Sequence, residues 1–290
     1  MRWRRDLPRQ VAEALAAAGH GVSLVETQGP GTAGRIARER IARGSDLILA
    51  LGGDGTLNEM LPGMARGATP LGVIPAGTAN VLSRELGLGA SALKAVRRLG
   101  ECVPVRVPLG VLRAEDAEPR YFLLMAGVGF DAHIVYRLNL PLKAKTGQLA
   151  YWVGAGREFL RRLDEFQVEA NGATFTCSFA LASRVRNYAG YLRIAQRVSL
   201  AQPEFETILF EGGSVLRHYV KYMAAVLTGR TANVKGMTFL RSTSVRFRGP
   251  ADRRVYVQVD GEYAGRLPAS VELEPDALTL LTPPEYAKRG

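Results

Sequence analysis

The sequence predicts an α/β N-terminal domain, an open and mostly parallel sheet, followed by a C-terminal antiparallel β-sandwich domain. Three observations predict it. The first hundred residues alternate short continuous apolar runs with helix-period stretches, the pattern of strands buried on both faces by crossover helices. From about residue 103 the runs become short, many with period two, as in Arg254–Asp260. The chain has 290 residues and 47% hydrophobic content, enough for two modest cores.

In the first domain, placed at 1–102, the spacing of Leu7, Val11, Ala14 and Leu15 predicts a helix over Pro8–Ala18, stopped by Gly19. A short strand is expected at Val22–Val25 and a helix at Ala33–Arg43, closed by Gly44. Leu47–Leu51 reads as a buried parallel strand and Thr56–Ala65 as a helix that must accommodate Pro62. Leu71–Ile74 is a second buried strand, and Asn80–Leu86 begins another helix.

The second domain, 103–290, is expected to let its last ~15 residues pack back on the first. Strands are predicted at Val103–Val107, Tyr121–Met125, Phe166–Glu169, Thr174–Ser183, Leu192–Val198, Thr207–Phe210, Ser244–Phe247, Val255–Val259 and Val271–Leu273. Helices are predicted at Gln148–Leu163 and Val215–Leu227, and Asn171-Gly172 is a hairpin turn. No internal repeat is present.

Composition excludes several classes. Apolar content is too high for a disordered chain. The longest largely apolar stretch, Tyr121–Phe130, is far short of the ~20 residues a spanning helix needs. Arg2, Arg4 and Arg5 open the chain, but Asp6, Pro8 and Glu13 interrupt any signal-peptide core. Cys102 and Cys177 make no disulfide framework and fit a reducing, cytoplasmic setting. His20, His133 and His218 lie too far apart for a local zinc motif. The net charge of +11 favours anionic partners. No recognition-helix cluster, zinc finger or aromatic stacking signature accompanies it, so nucleic acid is not an expected partner.

The chemistry concentrates in three stretches. Leu47–Asn58 is an apolar strand ending in Gly52-Gly53-Asp54-Gly55-Thr56, where a helix begins at once. Glycines permit the sharp turn, and the helix N-terminus offers free N–H groups suited to a phosphate. Asp54 repels such a phosphate unless it holds a cation or accepts a hydrogen bond; its bland reading is an N-cap. Leu71–Leu82 repeats the logic with Gly77-Thr78, and Thr78 and Asn80 can reach the same crevice. Asp260-Gly261-Glu262 ends the strand at 255–259. Read locally it is a hairpin turn; read functionally it offers two carboxylates, one to accept a hydroxyl proton and one to hold magnesium.

Taken in order, GGDGTLNEML (Gly52–Leu61), PAGTANVLSREL (Pro75–Leu86), GVGFDA (Gly127–Ala132) and VDGE (Val259–Glu262) resemble the bacterial diacylglycerol kinase-like lipid kinases. That family is related to sphingosine and ceramide kinases and, more distantly, to NAD kinases and phosphofructokinases. The resemblance implies an ATP-dependent kinase that phosphorylates a lipid hydroxyl, with ATP and Mg2+ as cofactors. It implies that Gly52, Gly53, Asp54, Gly55, Thr56, Leu57 and Asn58 line the ATP site, joined by Thr78 and Thr27; Gly77 and Asn80, read from the second turn, complete the candidate binding set. It places the proton acceptor at Glu262; Asp260 and Asp54, read from their own motifs, complete the candidate catalytic set. A lipid acceptor implies peripheral attachment at the anionic inner membrane face. Lys143, Lys145, Arg157, Arg161, Arg162, Arg241, Arg246, Arg248, Arg253 and Arg254 are the residues available for it.

The resemblance has gaps. The family usually opens with a central strand and an Asn-Pro-x-x-Gly-x-Gly loop; this sequence begins near the first helix, and the expectation is that the natural start lies upstream. Val81, Pro108 and Gln202-Pro203 stand where the family commonly has Asp, Asp and Asp-Gly. The last pair cannot replace a carboxylate toward a hard cation, so no structural metal is expected near Ser199–Glu204 and no metal ligand is assigned. The departures keep open a catalytically impaired nucleotide-binding regulator, and a soluble hydroxyl acceptor is the other alternative. Oligomeric state is not legible.

Overall fold

The computed structural model describes residues 6–130, 132, 163–188, 192–213, 218–231 and 234–288. Two compact units result, one of residues 1–108 with 275–290 and one of residues 109–274. The chain passes from one to the other within strand β3 (Val103–Ala114) and returns within β16 (Ala269–Thr282).

In the first unit the elements are α1 (Leu7–Ala17), α2 (Ala33–Ala42), β1 (Ile48–Gly52), α3 (Asp54–Met64), β2 (Leu71–Pro75), α4 (Val81–Glu85) and α5 (Ala92–Leu99). β1 and β2 pair in parallel from Ile48↔Leu71 to Gly52↔Pro75, and the far end of β16 joins β2 in parallel at Leu280. Val11 and Leu15 of α1 pack with Ala92, Val96 and Leu99 of α5 around Ile74, Leu49 and Leu51, which accounts for the apolar runs. α2 crosses α3 at Gly34 and Gly63, where a Cβ on Gly34 would lie 2.7 Å from the Glu59 carbonyl oxygen and one on Gly63 would overlap the Gly34 carbonyl. The returning C-terminal segment ends in α7 (Pro284–Ala287), with Tyr286 buried and Glu285 paired to Arg98.

The second unit is an antiparallel sandwich. One sheet runs β12-β11-β8-β5-β14-β15, built from Met237–Ser242, Phe205–Phe210, Phe179–Ser183, Met125–Gly129, Tyr256–Val259 and Glu262–Arg266. The facing strands are β16, β13 (Ser244–Arg248), β6 (Phe166–Ala170) and β7 (Ala173–Cys177), with β4 (Arg120–Phe122) on β3. Alternate residues from both layers, Val168, Val245 and Phe247 against Val128, Ala180, Leu209 and Val257, form one core. A short pair, β9 (Asn187–Tyr188) and β10 (Leu192–Arg193), and helix α6 (Val220–Thr228) complete the unit.

The predicted fold class is the one observed, with local corrections. Val22–Val25 is not a strand: Val22, Leu24 and Val25 are 40%, 53% and 38% exposed. A short apolar run becomes a strand only with a paired neighbour, and among the described residues none pairs with it. Tyr121–Met125 and Thr174–Ser183 are each two strands rather than one, because the chain changes sheets at Leu123–Leu124 and at Ser178. Leu192–Val198 stops at Arg193, since the Gln196 and Arg197 amides turn to donate to the buried Glu206 carboxylate. α3 starts two residues before the predicted position, and α5 and β12 were not predicted. Gln148–Leu163 lies outside the described residues except for Leu163, as do Val215 and its neighbours at 214–217.

The helix crossing gives a stability test. Gly63→Ala should lower unfolding free energy by about 1–3 kcal/mol or more, because backbone rather than a movable side chain receives the new methyl. Gly100→Ala, which meets nothing within 4 Å, should stay within about 0.5 kcal/mol. Urea denaturation of both variants checks this.

Candidate active site

In each unit an aspartate in a candidate motif accepts from successive backbone amides. In the first unit β1 ends at Gly52, Gly53 is the extended N-cap and α3 begins at Asp54. Side chains are excluded at both glycines: a Cβ on Gly52 would sit 2.7 Å from Thr56 Oγ1, and one on Gly77 2.5 Å from the Cα of Gly53. The two turns therefore pack backbone against backbone. Their mutual position is tied by the Ala76 amide, which donates to the Gly52 carbonyl at 2.9 Å. Asn80 closes the second turn, its side chain accepting from the Gly77 amide and donating to the Gly77 carbonyl, both at 2.9 Å. Asn80 itself is buried in the left-handed region, at φ 48°, a conformation Asn adopts more readily than most residues.

Asp54 does not cap its own helix. Its Oδ2 accepts from the Val81 amide at 3.0 Å and its Oδ1 from the Leu82 amide at 3.2 Å, so it satisfies the first turn of α4. Burial pushes its carboxyl above the ordinary value, while these amides pull the other way. The negative group at the turn is thus directed chiefly at α4, and the first turn of α3, with a glycine as its N-cap, carries no side-chain cap. Val81 contributes through its backbone, so the missing family Asp does not disturb this bond.

Gly52, Gly53, Asp54, Gly77 and Asn80 are thus brought together, with Thr56 against Gly52. Leu57 and Asn58 are buried in α3 below the turn and Thr78 is exposed at the tip of the second. Thr27 lies on an exposed stretch without helix or strand, and the turn hydrogen bonds do not include it.

In the second unit Asp260 and Gly261, at φ 49° and 85°, form a two-residue hairpin between β14 and β15, closed by Val259↔Glu262. Asp260 Oδ2 accepts from the Leu123 amide at 3.0 Å, and Oδ1 from Leu124 at 3.0 Å and Met125 at 2.9 Å. These three amides belong to the corner where the chain leaves β4 for β5, so Asp260 holds that corner. The geometry makes it a positioning group rather than a free carboxylate. Glu262, two residues on, is about one-third exposed, and its Oε2 accepts from Arg120 at 3.0 Å. Arg120 also donates to the Tyr263 carbonyl at 2.8 Å, which fixes the guanidinium across the hairpin. Arg120 was missed from sequence; it stands 142 positions away and no local pattern marks it.

Among the described residues no group of three or more His, Cys, Asp or Glu is placed to hold a metal ion. The basic residues singled out at 143–162 lie outside the described residues. Of the later arginines, Arg241 pairs with Glu204, Arg248 with Glu169 and Arg253 with Asp164, which leaves less net positive charge there than the sequence implies.

An α/β unit with paired glycine turns, joined to a β-sandwich carrying a carboxylate hairpin, is the build of a phosphotransferase. The diacylglycerol kinase catalytic domain matches residues 2–111, and the YegS C-terminal NAD kinase beta sandwich-like domain matches residues 125–282. The diacylglycerol kinase of Bacillus subtilis (strain 168) is 30% identical over 266 residues, covering 89% of this chain and 85% of that protein. The diacylglycerol kinase of Staphylococcus carnosus (strain TM300) is 28% identical over 276 residues, covering 92% and 86%. The crystal structure of a diacylglycerol kinase from Bacillus anthracis str. Sterne shares the fold, with a TM-score of 0.72 at 22% identity over 94% of this chain and 89% of that one. The chain belongs to the diacylglycerol kinase family and is a kinase with an alcohol acceptor.

The Asp54 arrangement predicts a pH dependence. Its folded pKa is raised, so the native state holds the proton more tightly than the unfolded chain. Its stabilising contribution is fully present below 3.8 and is lost as pH rises through the folded value. Denaturation midpoints compared from below 3.8 to neutrality should show the wild type losing ground to Asp54→Asn as pH rises. A difference that is flat or grows with pH contradicts the assignment.

Proposed function

We propose that the chain is an ATP-dependent lipid kinase that transfers the γ-phosphoryl group to the hydroxyl of a diacylglycerol-type lipid, acting peripherally at the cytoplasmic face of an anionic membrane. The observation that carries the reading is the uncapped first turn of α3 behind a glycine turn whose one acid is bound elsewhere. The relatives named diacylglycerol kinase supply the acceptor class.

The residues present fit a nucleotide polyphosphate: α3 amides for phosphate oxygens, glycines for close approach, and Thr56 and Thr78 as hydroxyl partners. Magnesium would arrive on the nucleotide, with Asp54 the carboxylate nearest the turn in sequence. Bound there, it would neutralise charge on the phosphates. Glu262 is the proton acceptor. As the lipid oxygen bonds to the γ-phosphorus, the bond from that phosphorus to the β,γ-bridging oxygen breaks, ADP leaves and the hydroxyl proton passes to a Glu262 oxygen. Arg120 orients that carboxylate, and Asp260 shapes the hairpin that presents it.

Labelled ATP with magnesium, offered diacylglycerol, a sphingoid base, ceramide and phosphatidylglycerol, should label diacylglycerol preferentially. Glu262→Gln should bind ATP normally and turn over ~100-fold more slowly or worse. Asp260→Asn should instead lower thermal stability, because its amide partners lose acceptor capacity. Wild-type turnover in Glu262→Gln removes it from the role. ATP binding without transfer to any acceptor replaces the kinase reading with that of a nucleotide-binding regulator.

A further inference from the structure

The outward face of α6 is apolar where a surface helix is ordinarily polar. Tyr222, Ala225 and Val226 turn inward and are buried. On the opposite side Val220, Met223 and Leu227 are 49%, 38% and 65% exposed, and Ala224 is exposed with them. Positions 220, 223, 224 and 227 fall within an arc of about 100° at helical spacing, so they form one stripe. From His218 to Gly236 the sequence contains no Asp or Glu, while Lys221, Arg230 and Lys235 are exposed. Lys221 donates to the Lys235 carbonyl at 2.5 Å, which joins the helix to the loop after it. Among the described residues none of these three cations pairs with a carboxylate, unlike Arg241, Arg248 and Arg253.

We propose that α6 is an interfacial anchor: its Val220, Met223, Ala224 and Leu227 stripe enters the headgroup boundary of an anionic bilayer, while Lys221, Arg230 and Lys235 meet lipid phosphates. An apolar stripe beside cations without acids is the composition that binds in the plane of such a surface. The nine-residue helix is far too short to span hydrocarbon. A second copy of the chain fits less well. Four side chains supply much less than the ~800 Å2 per partner of a stable interface, and a two-fold pairing would bring like charges together.

The motive for a bilayer is the lipid acceptor proposed above, but the test needs neither acceptor nor nucleotide, so either reading can fail alone. Flotation with phosphatidylcholine–phosphatidylglycerol vesicles and with phosphatidylcholine vesicles compares the wild type with Met223→Glu/Leu227→Glu and with Leu227→Phe. The wild type and Leu227→Phe should float with the anionic vesicles, and less as salt rises. The double variant should bind ~10-fold more weakly or worse, with unchanged circular dichroism. Equal flotation of the double variant overturns the proposal. So does a wild type that stays unbound at low salt, or one that sediments as a dimer the double variant dissociates. Leu227→Trp adds a direct readout: emission should shift blue on adding anionic vesicles, and a blue, vesicle-insensitive emission in buffer means the chain itself covers the stripe.

Discussion

The site in the first unit depends on where one negative charge is spent. Asp54 sits at the mouth of a glycine turn ending a parallel strand, where a carboxylate would ordinarily repel a phosphate. Its two oxygens accept from the Val81 and Leu82 amides instead. That choice requires the second turn to stand close, which the contact of Gly53 with Gly77 and the side chain of Asn80 secure. α4 receives the cap it lacks, while α3, with a glycine at its N-cap, carries no side-chain cap.

The second unit uses the same device for another purpose. Asp260 satisfies three amides at a corner where the chain leaves one sheet for the other, and such buried amides must find acceptors. The corner cannot continue a ladder, so a side chain replaces the neighbouring strand. Asp260 is occupied by amides, whereas Glu262 pairs with a side chain, that of Arg120. Two acids that read alike in Asp-Gly-Glu thus have different physical standing.

Much of the fold was legible because apolar periodicity reports burial directly. Leu47–Leu51, Leu71–Ile74 and the alternation in 255–259 became strands close to their predicted limits. The failures share a cause: periodicity says nothing about who stands beside a segment. Val22–Val25 has the composition of a strand and no described partner. Tyr121–Met125 reads as continuous, yet an acid more than a hundred positions away bends it. The site residues around Gly52 and Gly77 were visible as motifs because sharp turns demand glycine. The partners of Asp54 and Glu262 were not, since a backbone amide leaves no trace in sequence and Arg120 is remote. The corners were hidden for the same reason.

The central claim is that phosphate meets the open amides of α3 while Asp54 stays on α4. Titrating MgATP into 15N-labelled protein and following backbone amide resonances tests it most directly. The account predicts large, saturable shifts at Gly53, Gly55 and Thr56, with the Val81 and Leu82 amides keeping their slow exchange. Silence at residues 53–56, or loss of protection at Val81 and Leu82 as nucleotide binds, would contradict it.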